Sequence, residues 1–263
     1  MNDNGSEETS AALDGAIAPT FFKYLVPSLA SMIAMTSASL VDGIFIGNYI
    51  GVTALAAVNL IIPITSLVFG IAMMLSVGGS VRAGKYLGEK KVAAASSIFS
   101  KTLLSVAMYG VVVIALGLIL KDQLFTGLGA TDALFPVMSE YYVVIMPFLF
   151  TQLIVVVLYF FVRLDGMPNL AAIALSIAAA VNVLLDYLFI VVYGWGLSGA
   201  AFATGLSQTI PMFVLMGYFY WPKRRLQFTV WQHDWREVLQ AAYNGVSEFI
   251  NESSGGIIAF IFN

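Results

Sequence analysis

The chain has 263 residues, 60% of them hydrophobic and 10% charged, with twelve lysines and arginines against fifteen aspartates and glutamates. A soluble domain carries about 25% charged residues, so a mean hydropathy of +0.90 excludes an ordinary water-soluble globule and points to a lipid-embedded one. The absence of cysteine excludes disulfides, thiolate metal sites and thiol redox chemistry, and the net charge of −3 says little because the charges are sorted by loop.

Residues 1–20 form an acidic polar tail with Asp3, Glu7, Glu8 and Asp14, and they lack the basic start of a signal peptide. Beyond the tail, apolar runs of about 20 residues recur, the pattern of membrane-spanning helices rather than of alternating barrel strands. The periodicity predicts seven spans, at 21–47, 54–77, 93–120, 134–161, 170–192, 199–220 and 238–262. Pro27, Pro63, Pro147 and Pro211 fall inside spans, where neighbouring helices or cavity water tolerate the bend. The predicted fold class is therefore an all-α integral membrane protein, a polytopic helix bundle.

Charge then sets the orientation. Lys23, Arg82, Lys85, Lys90, Lys91, Lys101, Arg163, Lys223, Arg224, Arg225 and Arg236 fall on one side of the predicted topology, and Lys121 alone on the other. The positive-inside rule places the first side, with the N-terminus, in the cytoplasm, and the protein in the cell's inner (plasma) membrane. Orientation converts sequence position into depth. Asp42 and Asp186 each lie ~10 Å below the outer ends of spans one and five, at 1.5 Å per residue. Thr204 in span six and Asn59 in span two fall near the same level. Asn182 precedes Asp186 by one helical turn and shares its face. A carboxylate in hydrocarbon is costly, and such residues mark ion or substrate paths.

Further polar residues are candidate cavity linings: Asn59, mid-span Gln152, and Glu248, Asn251 and Glu252 on the last span. Glu140 lies close enough to an interface to be solvated. The string GGSVRAGKY has phosphate-loop spacing, but Tyr86 stands where Mg²⁺ binding needs Ser or Thr, and no strand precedes it. His233 has no second ligand nearby in sequence, and Asn251-Glu252-Ser253 matches a glycosylation site inside a span. Basic residues on the membrane face need only lipid headgroups, so nucleic acid is not implied.

Several strings resemble one family, the multidrug and toxic compound extrusion (MATE) transporters. They are VDGIFIGNYIGVTALAAVNL, GGSVRAGKYLGEKK, RLDGMPN, NVLLDYLF, GLSGAAFATGLSQ and GVSEFINESSGGIIAFIFN. The resemblance implies twelve helices in two six-helix lobes, of which about seven are present. Residues 1–20 would be a cytoplasmic tail, 21–221 the N-terminal lobe, 222–237 the inter-lobe linker, and 238–263 the seventh helix, opening a truncated second lobe. It implies multidrug efflux by alternating access, driven by Na⁺ or H⁺ and needing no other cofactor, with no enzyme activity. The carried-over cation site is Asp42, Asn182, Asp186 and Thr204, with no metal beyond Na⁺ there. One departure is Tyr159, where family members often carry asparagine. The partners implied are the bilayer, small cationic or amphipathic organic substrates, and the missing C-terminal lobe. The nearest rival is a lipid-linked saccharide flippase of the same superfamily, which would favour a strongly cationic cavity. A seven-helix receptor is a further alternative, although the last span has no Schiff-base lysine. A membrane enzyme would need a nucleophile–base pair or metal cluster that the sequence does not offer.

Overall fold

The computed structural model describes residues 17–222, 224–229 and 235–262. Asp3, Glu7, Glu8, Asp14, Lys223 and His233 lie outside the described residues, as does the side chain of Lys23. Every regular element among the described residues is helical. Helix α1 (Ile17–Phe45) passes directly into a π-helical turn, Ile46–Ile50. Gly51 then reverses the chain at φ 127°, a conformation that a side chain would strain. Helix α2 (Val52–Gly88) is 37 residues long, or ~55 Å, and so outruns a hydrocarbon core of about 30 Å. Helix α3 (Val92–Ile119) returns, and a short helix α4 (Lys121–Gly127) buries Phe125 against Phe135 and Tyr142. Helix α5 (Leu134–Leu164) follows, then α6 (Pro168–Asp186), which ends in a second π-helical turn, Tyr187–Val192.

The sixth predicted span comprises α7 (Gly196–Ser207) and α8 (Thr209–Tyr218). The break lies where Pro211 has no N–H to offer the carbonyl of Ser207, so the helical ladder is interrupted there. The seventh span, expected as one helix over 238–262, is instead divided into α9 (Arg236–Asn244) and α10 (Val246–Phe262). The division has a packing cause. Gly245 runs against the carbonyl of Met74, and Gly78 against that of Ala241, so backbone rather than side chain forms this contact. Among the described residues, six helical stretches of 27, 37, 28, 31, 25 and 23 residues are long and apolar enough to cross a membrane.

Helix α2 is the axis of the bundle, packing against α3, α5, α9 and α10, whereas α1 leans chiefly on α6. The two π-helical turns touch each other, and that of α1 also meets α2 and α7. At the end rich in basic residues, Phe99 stacks on Phe219 at 4.4 Å and meets Phe161 and Phe228. The fully buried carboxylate of Asp165 accepts bonds there from the Tyr218 hydroxyl at 2.7 Å and the backbone N–H groups of Arg225 (2.9 Å) and Leu226 (3.3 Å). This fastens the segment after α8 across the bundle end, where Thr229 N–H also donates to Ser100 Oγ at 2.7 Å. Arg82 pairs with Glu237 at 3.3 Å and Tyr86 donates to the same carboxylate at 2.8 Å, tying α9 to α2. The Gly79–Tyr86 string is thus part of a continuous helix, without the loop that a phosphate cradle requires. Around the bundle waist, Val111, Val112, Ile119, Ile173 and Phe213 face outward, a surface suited to lipid rather than water.

The α2–α10 seam depends on small residues. A Cβ on Gly256 would meet Ser66 Cβ at 2.7 Å, and one on Gly70 would meet Phe249 at 3.0 Å, while Gly255 faces open space. Gly256→Val should therefore cost about 1–3 kcal/mol by overpacking and lower the thermal unfolding temperature in detergent. Gly255→Val changes the same helix propensity without the clash and should leave that temperature nearly unchanged; equal losses in both variants would contradict the seam.

Candidate functional site

Two aspartates sit where α-helix gives way to π-helical turn. Asp42 is one turn ahead of Ile46–Ile50, and Asp186 immediately precedes Tyr187–Val192. π-Helical turns widen the ladder locally and recur at functional sites. Since the two turns touch, the elements that carry the aspartates converge near the ends of spans one and five.

Asp186 is completely buried, and neither carboxylate oxygen has a hydrogen-bond partner. Asn182, one turn earlier on α6, is 8% exposed, and its amide nitrogen is likewise unpartnered. Asp42 is half-buried, with Oδ1 enclosed and unpartnered. Asp42 and Asp186 interact electrostatically with each other and with the phenol of buried Tyr141 on α5. Nearly every buried polar atom of a native protein finds a partner. Here four such atoms without a partner lie on Asp42, Asn182 and Asp186. Carboxylate and amide oxygens are hard donors that suit Na⁺, and a carboxylate pair equally accepts a proton.

Thr204 is half-buried on α7 and lines a small cavity of about 150 Å³ together with Tyr141 and Gln152. In sequence, Tyr141 reads as core because it stands in an apolar run; its position on α5 beside Glu140, near the span end, is the available signal of another role. Asn59 is half-buried on α2. Gln152 also lines a larger cavity of about 560 Å³ between α1, α2 and α5. On α10, Glu248 and Glu252 are half-buried beside the α2 seam, and Asn251 is exposed. Glu140 has a role beyond solvation: Oε1 accepts from Ser198 N–H at 3.0 Å and from its hydroxyl at 3.2 Å, capping the start of α7. Tyr159 accepts from Arg163 Nη1 at 2.9 Å.

Comparison with known proteins places the chain in a family. The MatE family model matches residues 27–188, well over half of the chain. The chain belongs to the MatE family, whose members are transporters. It is 28% identical over 216 residues to the "Probable multidrug resistance protein YoeA" of Bacillus subtilis, covering 78% of this chain and 45% of that protein. It is 28% identical over 224 residues to the FAD transporter of Shewanella oneidensis, covering 81% and 48%. The chain spans about half the length of the curated relatives it matches. Among solved structures, an inward-facing multidrug resistance MATE family transporter of the MOP superfamily superposes with TM-score 0.80 at 25% identity, over 90% of this chain and 55% of that one. An outward-facing conformation gives 0.79 at 26% identity, over 87% and 51%.

An unpaired buried carboxylate opposes folding. Asp186→Asn removes the charge and preserves the shape, so it should unfold at the same temperature as the parent or a higher one. A fall of several degrees in a thermal unfolding scan would mean that Asp186 has a stabilising partner after all.

Proposed function

We propose that the protein works as an ion-coupled efflux antiporter for small organic compounds, with Asp42, Asn182, Asp186 and Thr204 as its cation site. The observation that carries this reading is the cluster of unsatisfied buried oxygen and nitrogen atoms on Asp42, Asn182 and Asp186 within a MatE-family helix bundle. Cation entry would neutralise the aspartate pair, and the touching π-helical turns would carry that change to α1, α2 and α7. The relatives, roughly twice as long, supply the rest of the scheme. Residues 21–221 would act as one lobe, 222–237 as a linker, and 238–263 as the first helix of a second lobe. The basic end is the cytoplasmic one, in the inner membrane.

Alternating access rocks one lobe against another around a fixed site. The bundle matches inward- and outward-facing relatives almost equally, at 0.80 and 0.79, which supports a lobe that moves as one body. Na⁺ and H⁺ both suit the donor set, and the coupling ion is the first quantity to measure. The flippase alternative is less favoured, because Arg163 is the only charged residue among those lining the large cavity.

Asp42→Asn and Asp186→Asn, each introduced into the full-length protein, should abolish gradient-driven efflux, by ~10²-fold or more, with membrane insertion unchanged. Drug accumulation in cells, with Na⁺ and pH varied separately, reads this. Parental efflux by both well-expressed variants would end the shared-site reading.

A further inference from the structure

The cavity of about 560 Å³ is lined by residues of α1, α2 and α5, with Leu175 of α6 and Gln208 completing its wall. Its chemistry is asymmetric. Along α1 it runs from Ser28 to Thr36, which spans ~12 Å at 1.5 Å per residue. One end holds Arg163, whose Nη1 donates to the Tyr159 hydroxyl at 2.9 Å and whose Nη2 donates to Ser28 Oγ at 2.9 Å. The guanidinium also lies 4.9 Å from the Tyr159 ring centroid. Toward the middle and far end the wall is Met32, Met35, Met73 and Phe69, with the neutral amide of Gln152.

Among the described residues, no aspartate or glutamate lines this cavity. Asp165, two residues from Arg163, is committed to Arg225 and Tyr218. Asp42 and Asp186 lie beyond its far end and are not among its lining residues. Arg163 is half-buried and makes no ion pair among the described residues. Of the five N–H donors of a guanidinium, the two bonds to Tyr159 and Ser28 use only part. Those bonds aim the fork without neutralising it. A cationic ligand would meet a like charge with nothing to offset it, whereas an anion would complete a charge-assisted contact.

We propose that this cavity binds an amphipathic organic anion. Its carboxylate or phosphate group is held by Arg163, and its apolar body lies against Met32, Met35, Met73 and Phe69. The assignment rests on the transport reading above and narrows its substrate class, in place of the cationic compounds that the sequence resemblance implied. Methionine walls adapt to varied shapes, so selectivity would reside in the charge at the arginine end and not in a fixed outline. The Tyr159 departure from the family pattern belongs to the same device, since its hydroxyl and ring face the guanidinium. The match to the FAD transporter of Shewanella oneidensis, whose named cargo carries phosphates, agrees in sign with the charge of the cavity.

The test compares three probes with one fluorescent body: N-dansyl-6-aminohexanoic acid, its primary amide, and the amine dansylcadaverine. Binding is read by fluorescence on the full-length protein in phosphatidylcholine nanodiscs. The acid should bind about tenfold tighter than the amide, the worth of one charge-assisted hydrogen bond, and the amine weakest. Arg163→Gln should erase the preference, and Arg163→Lys should keep much of it. Met35→Trp, which fills the cavity without touching the charge, should weaken all three probes together. Equal binding of the three, tighter binding of the amine, or a preference that survives Arg163→Gln would overturn the proposal. Repeating the titration with phosphatidylglycerol in the disc separates the sources of the anion. An unchanged preference supports a soluble ligand, and competitive loss would assign the cavity to a lipid headgroup and overturn it. Binding without gradient-driven flux of the acid would count against the antiport reading alone.

Discussion

The structure depends on a carboxylate held in a place that should reject it. Asp186 is fully buried, and neither of its oxygens is hydrogen-bonded. Burying an unpaired charge costs several kcal/mol, so a fold keeps such a group only where something else is gained. Around it the helices are arranged as if to hold that strain in place. The ladder of α6 opens into a π-helical turn just after Asp186, the ladder of α1 does so just after Asp42, and the two turns meet. Asn182, one turn before Asp186, and Tyr141 on α5 are buried as well. In the proposed function, a cation taken up here would convert that liability into a satisfied contact.

The rest of the bundle frames that group through close packing and a few polar fastenings. Glycine and serine along α2 and α10 let backbones approach, a packing mode suited to lipid, where no hydrophobic force draws helices together. At the basic end, Asp165 fastens the segment after α8, and the Arg82–Glu237–Tyr86 contacts fasten α9. Both fastenings lie at the end of the lobe opposite the aspartate pair. By contrast α1 leans mainly on α6, which leaves room between α1, α2 and α5 for the cavity headed by Arg163. The aspartate group and the cavity therefore share α1 without sharing residues.

Much of this was legible in the sequence because membrane burial writes a coarse, strong signal. Apolar run length pointed to the helices, a common depth grouped Asp42, Asp186, Thr204 and Asn59, and one helical turn added Asn182 to the face of Asp186. What escaped was whatever depends on backbone detail. Periodicity cannot distinguish a π-helical turn from an α-helical one, so the widened ladders beside both aspartates left no trace. Nor does it reveal that the seventh span breaks at Gly245, which follows from contact with Met74 on a distant helix. Tyr141 and Arg163 were hidden for a different reason. A tyrosine in an apolar run reads as packing and an arginine at a span end reads as topology, until the fold shows what each one faces.

The central claim is that the Asp42–Asn182–Asp186 group takes up the coupling cation. Infrared difference spectroscopy on the full-length protein in lipid, recorded between low and high Na⁺ and separately between high and low pH, observes the carboxyl groups directly. The account predicts a carboxylate or carboxyl band change with at least one of the two cations, lost in Asp186→Asn and altered in Asp42→Asn. A band change that persists unaltered in both variants, or none with either cation, would contradict it.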